Sequence, residues 1–213
     1  MGIEDCEGRI RGKSEKLYWW RSWEPRTRFA PLVDAPLWVE HVGGVIVEKI
    51  LSRVSEKKWY EQNYFAAADD EIGLASILMS MYSQFASELD YRLPENLYIR
   101  GWYNIIPPMG SLPLHHHSIH ENTFLSGNML LTDSKIPTEY HIPGYSTYGG
   151  NFKPPSRAGT ITLFPSWIEH KVGTNQEDHD RIALAWDLYT WESMAYCRDK
   201  NPEDEMMLSV PFL

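Results

Sequence analysis

The stretch Leu112-Pro-Leu-His-His-His-Ser-Ile-His-Glu-Asn-Thr-Phe-Leu-Ser-Gly127 holds four of the chain's eight histidines. Its lead-in reads as a strand over 112–117, where residues i and i+2 share a face. His115 and His117 then project together and His116 points away. A fifth histidine, His170, closes Leu163-Phe-Pro-Ser-Trp-Ile-Glu-His170, after another predicted strand and a tight Pro165-Ser-Trp segment. Two imidazoles from one strand and one from a distant strand form a three-point face on a metal ion, with coordination positions left open for substrate, cofactor or O2. His120 and Glu121, on the loop after the pair, are placed to supply or replace a ligand. The isolated His41, His141 and His179 read as surface or internally satisfied residues.

Arg181 opens the last predicted strand, in Arg-Ile-Ala-Leu-Ala-Trp186. An arginine facing into a barrel needs an anionic partner, because it cannot shed its charge. A carboxylate is the natural bidentate partner. The plainer reading is a rim arginine paired with Asp178 or Asp180.

Around these residues the periodicity changes along the chain. From Leu97 the apolar pattern has a period near two. Leu97–Ile106 reads as a strand stopped by Pro107-Pro108, and shorter strands follow at 112–117, 124–132, 139–142, 159–164 and 181–189. Gly/Pro-rich turns separate them, which indicates a sandwich or barrel. The segment 143–157 is the longest such turn. Upstream, Leu37, Val39, Val42, Val45, Ile46, Ile50, Leu51 and Val54 predict a helix, weakened by Gly43-Gly44. Asp69-Asp70-Glu71 predict the start of a second helix, whose apolar face runs from Ile72 to Leu89. The expected organisation is a single domain: an N-terminal arm over 1–30, a helical scaffold over 31–96 packed on the core, and a β-rich core with a C-terminal tail over 97–213.

Composition bounds the function. The 43% hydrophobic content is that of an ordinary globular chain, so a full core is expected. The net charge of −9 repels phosphate backbones, and no basic patch offsets it, so nucleic acid is not an expected partner. Arg9, Arg11, Lys13, Lys16, Arg21, Arg26 and Arg28 make the arm mildly basic, which suits a solvated segment. Its tryptophans, Trp19, Trp20 and Trp23, dock on the body or form a homodimer contact. Cys6 and Cys197 fit no metal motif or disulfide framework. With no signal peptide and no apolar run of spanning length, a cytoplasmic protein without membrane contact is expected.

Together, Trp102-Tyr-Asn104, the histidine cluster, Phe124-Leu-Ser-Gly127, Gly159-Thr-Ile-Thr-Leu-Phe-Pro-Ser-Trp167 with His170, and Arg181 resemble the Fe(II)/2-oxoglutarate-dependent oxygenases. The likeness is to a subgroup of small bacterial and phage-type members and covers about residues 98–188. It implies a double-stranded β-helix (jelly-roll) core of the cupin-like kind, with helices packed outside and Fe(II) at the open end. His170 then matches the distal histidine ligand. Arg181 matches the residue that pairs with the far carboxylate of 2-oxoglutarate. Asn104 and Ser126 match recurrent polar positions on the cofactor side. The implied reaction is hydroxylation of a C–H bond in a small-molecule or peptide substrate, using O2 and releasing succinate and CO2. Trp102, Tyr103, Tyr145, Tyr148 and Trp186 are candidates to line the pocket.

The sequence departs from that family in two ways. The usual proximal pair is His-x-Asp or His-x-Glu, yet no histidine here has an acid two residues later. His115-x-His117 fits when read forward from Leu112, and His120-Glu121 fits when read backward from Gly127, so either set completes the metal site. Without a carboxylate ligand, the iron would carry more positive charge. Ala183 also stands where many relatives have a small hydroxyl residue. A second reading is a cupin-type metal-dependent dioxygenase or isomerase that does not use 2-oxoglutarate. It rests on Gly110-x4-His115-x-His117-x3-Glu121-x5-Gly127 and on a loose echo in His170-x4-Asn175. In that reading Glu121 is a ligand and Arg181 is structural. A third is a metal-binding barrel without catalysis.

Overall fold

The structure is a computed structural model, and it describes residues 15–21, 34–54, 63–67, 72–118, 123–141, 151–200 and 210–211. Strands β1 (Leu17–Arg21) and β2 (Asp34–His41) come first. Helices α1 (Gly44–Leu51), α2 (Tyr64–Ala67) and α3 (Leu74–Glu88) follow. Seven strands come next: β3 (Leu97–Ile106), β4 (Leu112–His115), β5 (Thr123–Leu130), β6 (Thr138–His141), β7 (Thr160–Pro165), β8 (Glu169–Val172) and β9 (Arg181–Thr190). Helix α4 (Trp191–Lys200) and the short β10 (Val210–Pro211) end the described chain.

All strand pairs are antiparallel and form two sheets. The large sheet has the order β1-β2-β7-β5-β9-β3-β10, and the small one β4-β8-β6. This two-sheet arrangement is the expected double-stranded β-helix, mainly β with helices on the outside.

Strand alternation sorts most of the interior into two cores, with a small third cluster of Tyr189, Met194 and Cys197 where α4 meets β9. On the outer face of the large sheet, Leu163, Leu184, Trp186, Leu188, Leu97 and Ile99 pack against Leu74, Leu78, Met81, Tyr82 and Phe85 of α3 and Val47 and Ile50 of α1. The inner face meets the small sheet through Ala35, Leu37, Tyr140, Phe152, Phe164 and Ile168. Trp186 shows how tightly the outer face is fitted. Its indole Nε1 donates to the Tyr82 hydroxyl at 2.9 Å. Its register neighbours on both sides are glycines, Gly101 on β3 and Gly127 on β5. A Cβ on Gly127 would lie 2.6 Å from the indole, so the glycine of the Ser-Gly pair leaves room for that ring.

Two local expectations are corrected. Residues 37–41 are strand, and the helix starts only at Gly44. Ala35 and Leu37 face the inner core while Trp38 faces the outer one. A strand buried on both faces loses the polar-apolar alternation that would reveal it. Gly43-Gly44 is the helix boundary, with Gly43 as the extended N-cap. Residues 17–21 are an edge strand paired with β2, so sheet hydrogen bonds order that part of the arm. Among the described residues, no helix is long and apolar enough to cross a membrane.

Candidate metal centre

The three histidines meet on the small sheet and its edge. His115 ends β4, directly opposite His170 on β8, and Tyr140 on β6 flanks His170 on the other side. His117 lies just past the end of β4. Its backbone N–H donates to the Ser166 carbonyl at 2.9 Å. The Phe-Pro-Ser-Trp segment thus has a local purpose. Ile168 N–H returns to the Pro165 carbonyl at 3.0 Å to close a turn, and the same turn presents Ser166 to hold His117. His116, between the two, is exposed.

One ligand-capable nitrogen from each of His115, His117 and His170 lies within 4.8 Å of the other two. The rings are 5.2, 4.3 and 4.9 Å apart between centroids. The hydrogen bonds identify those nitrogens. Nδ1 of His115 faces the Pro113 carbonyl at 2.8 Å, and Nδ1 of His170 faces the Ile168 carbonyl at 3.2 Å. Nδ1 of His117 faces Oδ1 of Asp187 at 2.5 Å. Carbonyl and carboxylate oxygens only accept, so each Nδ1 donates, and Nε2 is the nitrogen that carries the lone pair whenever the ring is neutral. Three neutral, oriented Nε2 atoms with anchored Nδ1–H groups make a donor set that suits a divalent metal.

Electrostatics favour the neutral form at His170 and His115 and oppose it at His117. Burial, helped by the neighbouring His117 and His115, pushes the His170 pKa down to about 3. His115 is also lowered, again chiefly by burial. For His117 burial disfavours the charged form, but the Asp187 carboxylate outweighs it and the pKa is raised.

Sequence reasoning missed Asp187, although the signal was present. Arg181, Ala183, Ala185 and Asp187 are alternate residues of β9 and share its inner face. Asp187 is 5% exposed. Besides His117 it accepts from Ser126 Oγ at 2.6 Å and from the Tyr189 hydroxyl at 3.0 Å. Ser126 in turn lies 2.8 Å from Ser166 Oγ. Arg100, opposite Asp187 in register, adds a favourable positive charge.

A narrow cavity runs from His117 and His170 past Phe164 and Val172 to Arg181, lined also by Asn104, Asn128, Thr138, Ala183 and Ala185. Arg181 is 3% exposed. Its Nε donates to the Ile136 carbonyl and its Nη2 to Thr138 Oγ1, both at 3.0 Å. Neither Asp178 nor Asp180 pairs with it among the described residues, and Asp178 bonds its neighbour His179. Burial lowers the Arg181 pKa to about 10, which still leaves it charged at neutral pH. The inner face therefore holds a buried cation whose hydrogen bonds go to neutral oxygens. Across the cavity, Asn128 Nδ2 donates to the Tyr140 hydroxyl at 2.6 Å.

Of the residues singled out from sequence, the structure brings His117, His170, Asn104 and Arg181 onto one cavity, and His115 joins His117 and His170 in the cluster at its end. Ser126 supports Asp187 and Ser166 from behind it. His120 and Glu121 lie outside the described residues, as do Tyr145 and Tyr148. Trp102 is beside the centre, 5.6 Å from the His117 ring. Tyr103 and Trp186 belong to the outer core, with the Tyr103 hydroxyl donating to Ile50 O at 2.9 Å. Asn175 is a loop anchor, bonded to Ile106 O, His179 O and Glu177 N.

No protein-family model matches the chain, and no curated protein sequence matches it. Solved structures do match in fold. HygX from Streptomyces hygroscopicus, with nickel and 2-oxoglutarate bound, superposes with a TM-score of 0.56 at 13% identity, covering 73% of this chain and 82% of that one. The alpha-ketoglutarate-dependent epimerase SnoN from nogalamycin biosynthesis gives a TM-score of 0.54 at 14% identity, covering 71% and 76%. A Pseudomonas putida prolyl-4-hydroxylase gives 0.53 at 10% identity, covering 72% and 87%.

Proposed function

We propose that this chain is a non-haem Fe(II)- and 2-oxoglutarate-dependent oxygenase that hydroxylates a C–H bond of a small-molecule or peptide substrate. The observation that carries the reading is Arg181, a buried cation bonded to neutral oxygens at the far end of a cavity that begins at His117 and His170, two of the three convergent histidines. Such a cation calls for an anionic occupant of the cavity. The spacing suits a short dicarboxylate. Thr138 pairs with Val172, one same-face step from His170, which is about 7 Å along the strand. A five-carbon diacid spans a comparable length.

His115, His117 and His170 hold the metal through Nε2. Arg181 and the Thr138 hydroxyl clamp the distal carboxylate of 2-oxoglutarate. Thr138 provides, from the opposite sheet, the hydroxyl that Ala183 lacks. Ala183 and Ala185 keep the floor of the cavity low, and Asn104 and Asn128 offer amides along its length. Trp102 forms an apolar wall next to His117 for the substrate side. When bound, iron and 2-oxoglutarate supply the oxidising chemistry, in which O2 is consumed and succinate and CO2 are released. The named solved neighbours support the choice of cofactors, since they include a 2-oxoglutarate complex and an alpha-ketoglutarate-dependent enzyme.

The test is an anaerobic titration of the Fe(II)-loaded protein with 2-oxoglutarate, following the visible metal-to-ligand charge-transfer band. A saturable band that persists in Glu121→Ala is expected. Metal that binds without a band, and is lost in Glu121→Ala, would replace this reading with the cupin-type one.

A further inference from the structure

Among the described residues, the three-histidine face lacks the carboxylate that ordinarily balances iron charge in this setting, and the carboxylate bonded to one of its rings is Asp187. We infer that Asp187 supplies the missing negative charge at one remove, by acting through His117 on the metal. This rests on the metal-binding reading proposed above.

Three observations lead here. Asp187 Oδ1 stands 2.5 Å from Nδ1 of His117, so that imidazole separates the carboxylate from the metal position. The other two histidines anchor Nδ1 on neutral backbone carbonyls, so among the described residues only His117 has an anion behind it. And Asp187 is buried on β9, where an ionised carboxylate is costly unless several donors converge on it. They do converge, from His117, Ser126 and Tyr189. A carboxylate behind a ligating histidine fixes its ring and makes its other nitrogen a stronger donor. Asp187 is therefore a positioning residue, and Ser126 and Tyr189 set how much of its charge reaches His117.

The test reads metal affinity and iron potential, neither of which needs a substrate. Asp187→Asn keeps the shape and removes the charge. It is expected to weaken Co(II) or Fe(II) binding by about 10- to 100-fold and to raise the Fe(III)/Fe(II) potential. Tyr189→Phe removes one hydroxyl that shares the carboxylate, leaving more charge for His117, so the potential should fall. A merely structural role would shift both variants the same way, along with their melting temperatures. Unchanged affinity and potential in Asp187→Asn would overturn the inference while leaving the metal site intact. If Asp187→Asn does not fold, Tyr189→Phe decides: a lowered potential supports the inference and an unchanged one overturns it. Failure of the unmodified protein to bind metal would instead overturn the functional reading on which both rest.

Discussion

The two faces of β9 are built for different ends. Outward, Leu184, Trp186 and Leu188 are fully buried against α3 and its neighbours, with the one polar atom of Trp186 satisfied by Tyr82. Inward, Arg181, Ala183, Ala185 and Asp187 put a cation, two small residues and an anion along the same strand. The outer face gains stability from apolar burial, at about 25 cal/mol per Å² removed from water. The inner face gives stability up, since it keeps a buried guanidinium without a carboxylate partner among the described residues. The difference shows that strand alternation separates folding from chemistry residue by residue, and that each face should fail in its own way.

The sharpest way to break the outer face is Trp186→Ala. Its loss should destabilise the protein by about 3–5 kcal/mol in urea denaturation, as large aromatic truncations do, while the remaining folded molecules bind metal normally. Gly127→Ala presses a methyl group 2.6 Å from the same indole and should cost about 1–3 kcal/mol through overpacking, again with little effect on ligands. The smallest effect belongs to the inner face. Thr138→Val removes the hydroxyl that accepts from Arg181; it should weaken 2-oxoglutarate binding by about 0.5–1.5 kcal/mol in calorimetric titration and cost the ligand-free protein about 1 kcal/mol for the acceptor Arg181 loses. If Thr138→Val lowered the ligand-free stability but left 2-oxoglutarate binding unchanged, the separation of faces would be lost.

Much of this architecture was legible from residues alone, because period-two alternation marks Leu97–Ile106 and a turn-bounded apolar run after Arg181 marks the last strand. The site was legible where chemistry repeats at short spacing, as in His115-x-His117, and where an unusual residue opens a strand, as Arg181 does. What stayed hidden was non-local. Residues 34–41 form a strand apolar on both faces, running straight into a helix, so the two periods blurred into one. Asp187 was hidden differently. Alternation from Arg181 puts it on the inner face, but its partners Ser126 and His117 are 61 and 70 residues away in the chain, so nothing local pairs it with a histidine. The His-x-Asp pattern directs attention to an acid beside the histidine pair, whereas here the acid arrives from another strand.

One paired measurement tests the account most directly. Melting temperatures would be recorded for Leu184→Ala and Arg181→Leu, each ligand-free and then anaerobically with Fe(II) and 2-oxoglutarate. Ligands that bind only the folded state raise the melting temperature. The account predicts that Leu184→Ala melts lower, by the equivalent of about 2–5 kcal/mol, yet keeps its full ligand-induced rise. Arg181→Leu, relieved of a buried charge, should melt at or above the unmodified protein when ligand-free and lose the rise caused by 2-oxoglutarate. An Arg181→Leu protein that melted lower and still responded to 2-oxoglutarate would contradict it, because Arg181 would then serve the fold and not the ligand.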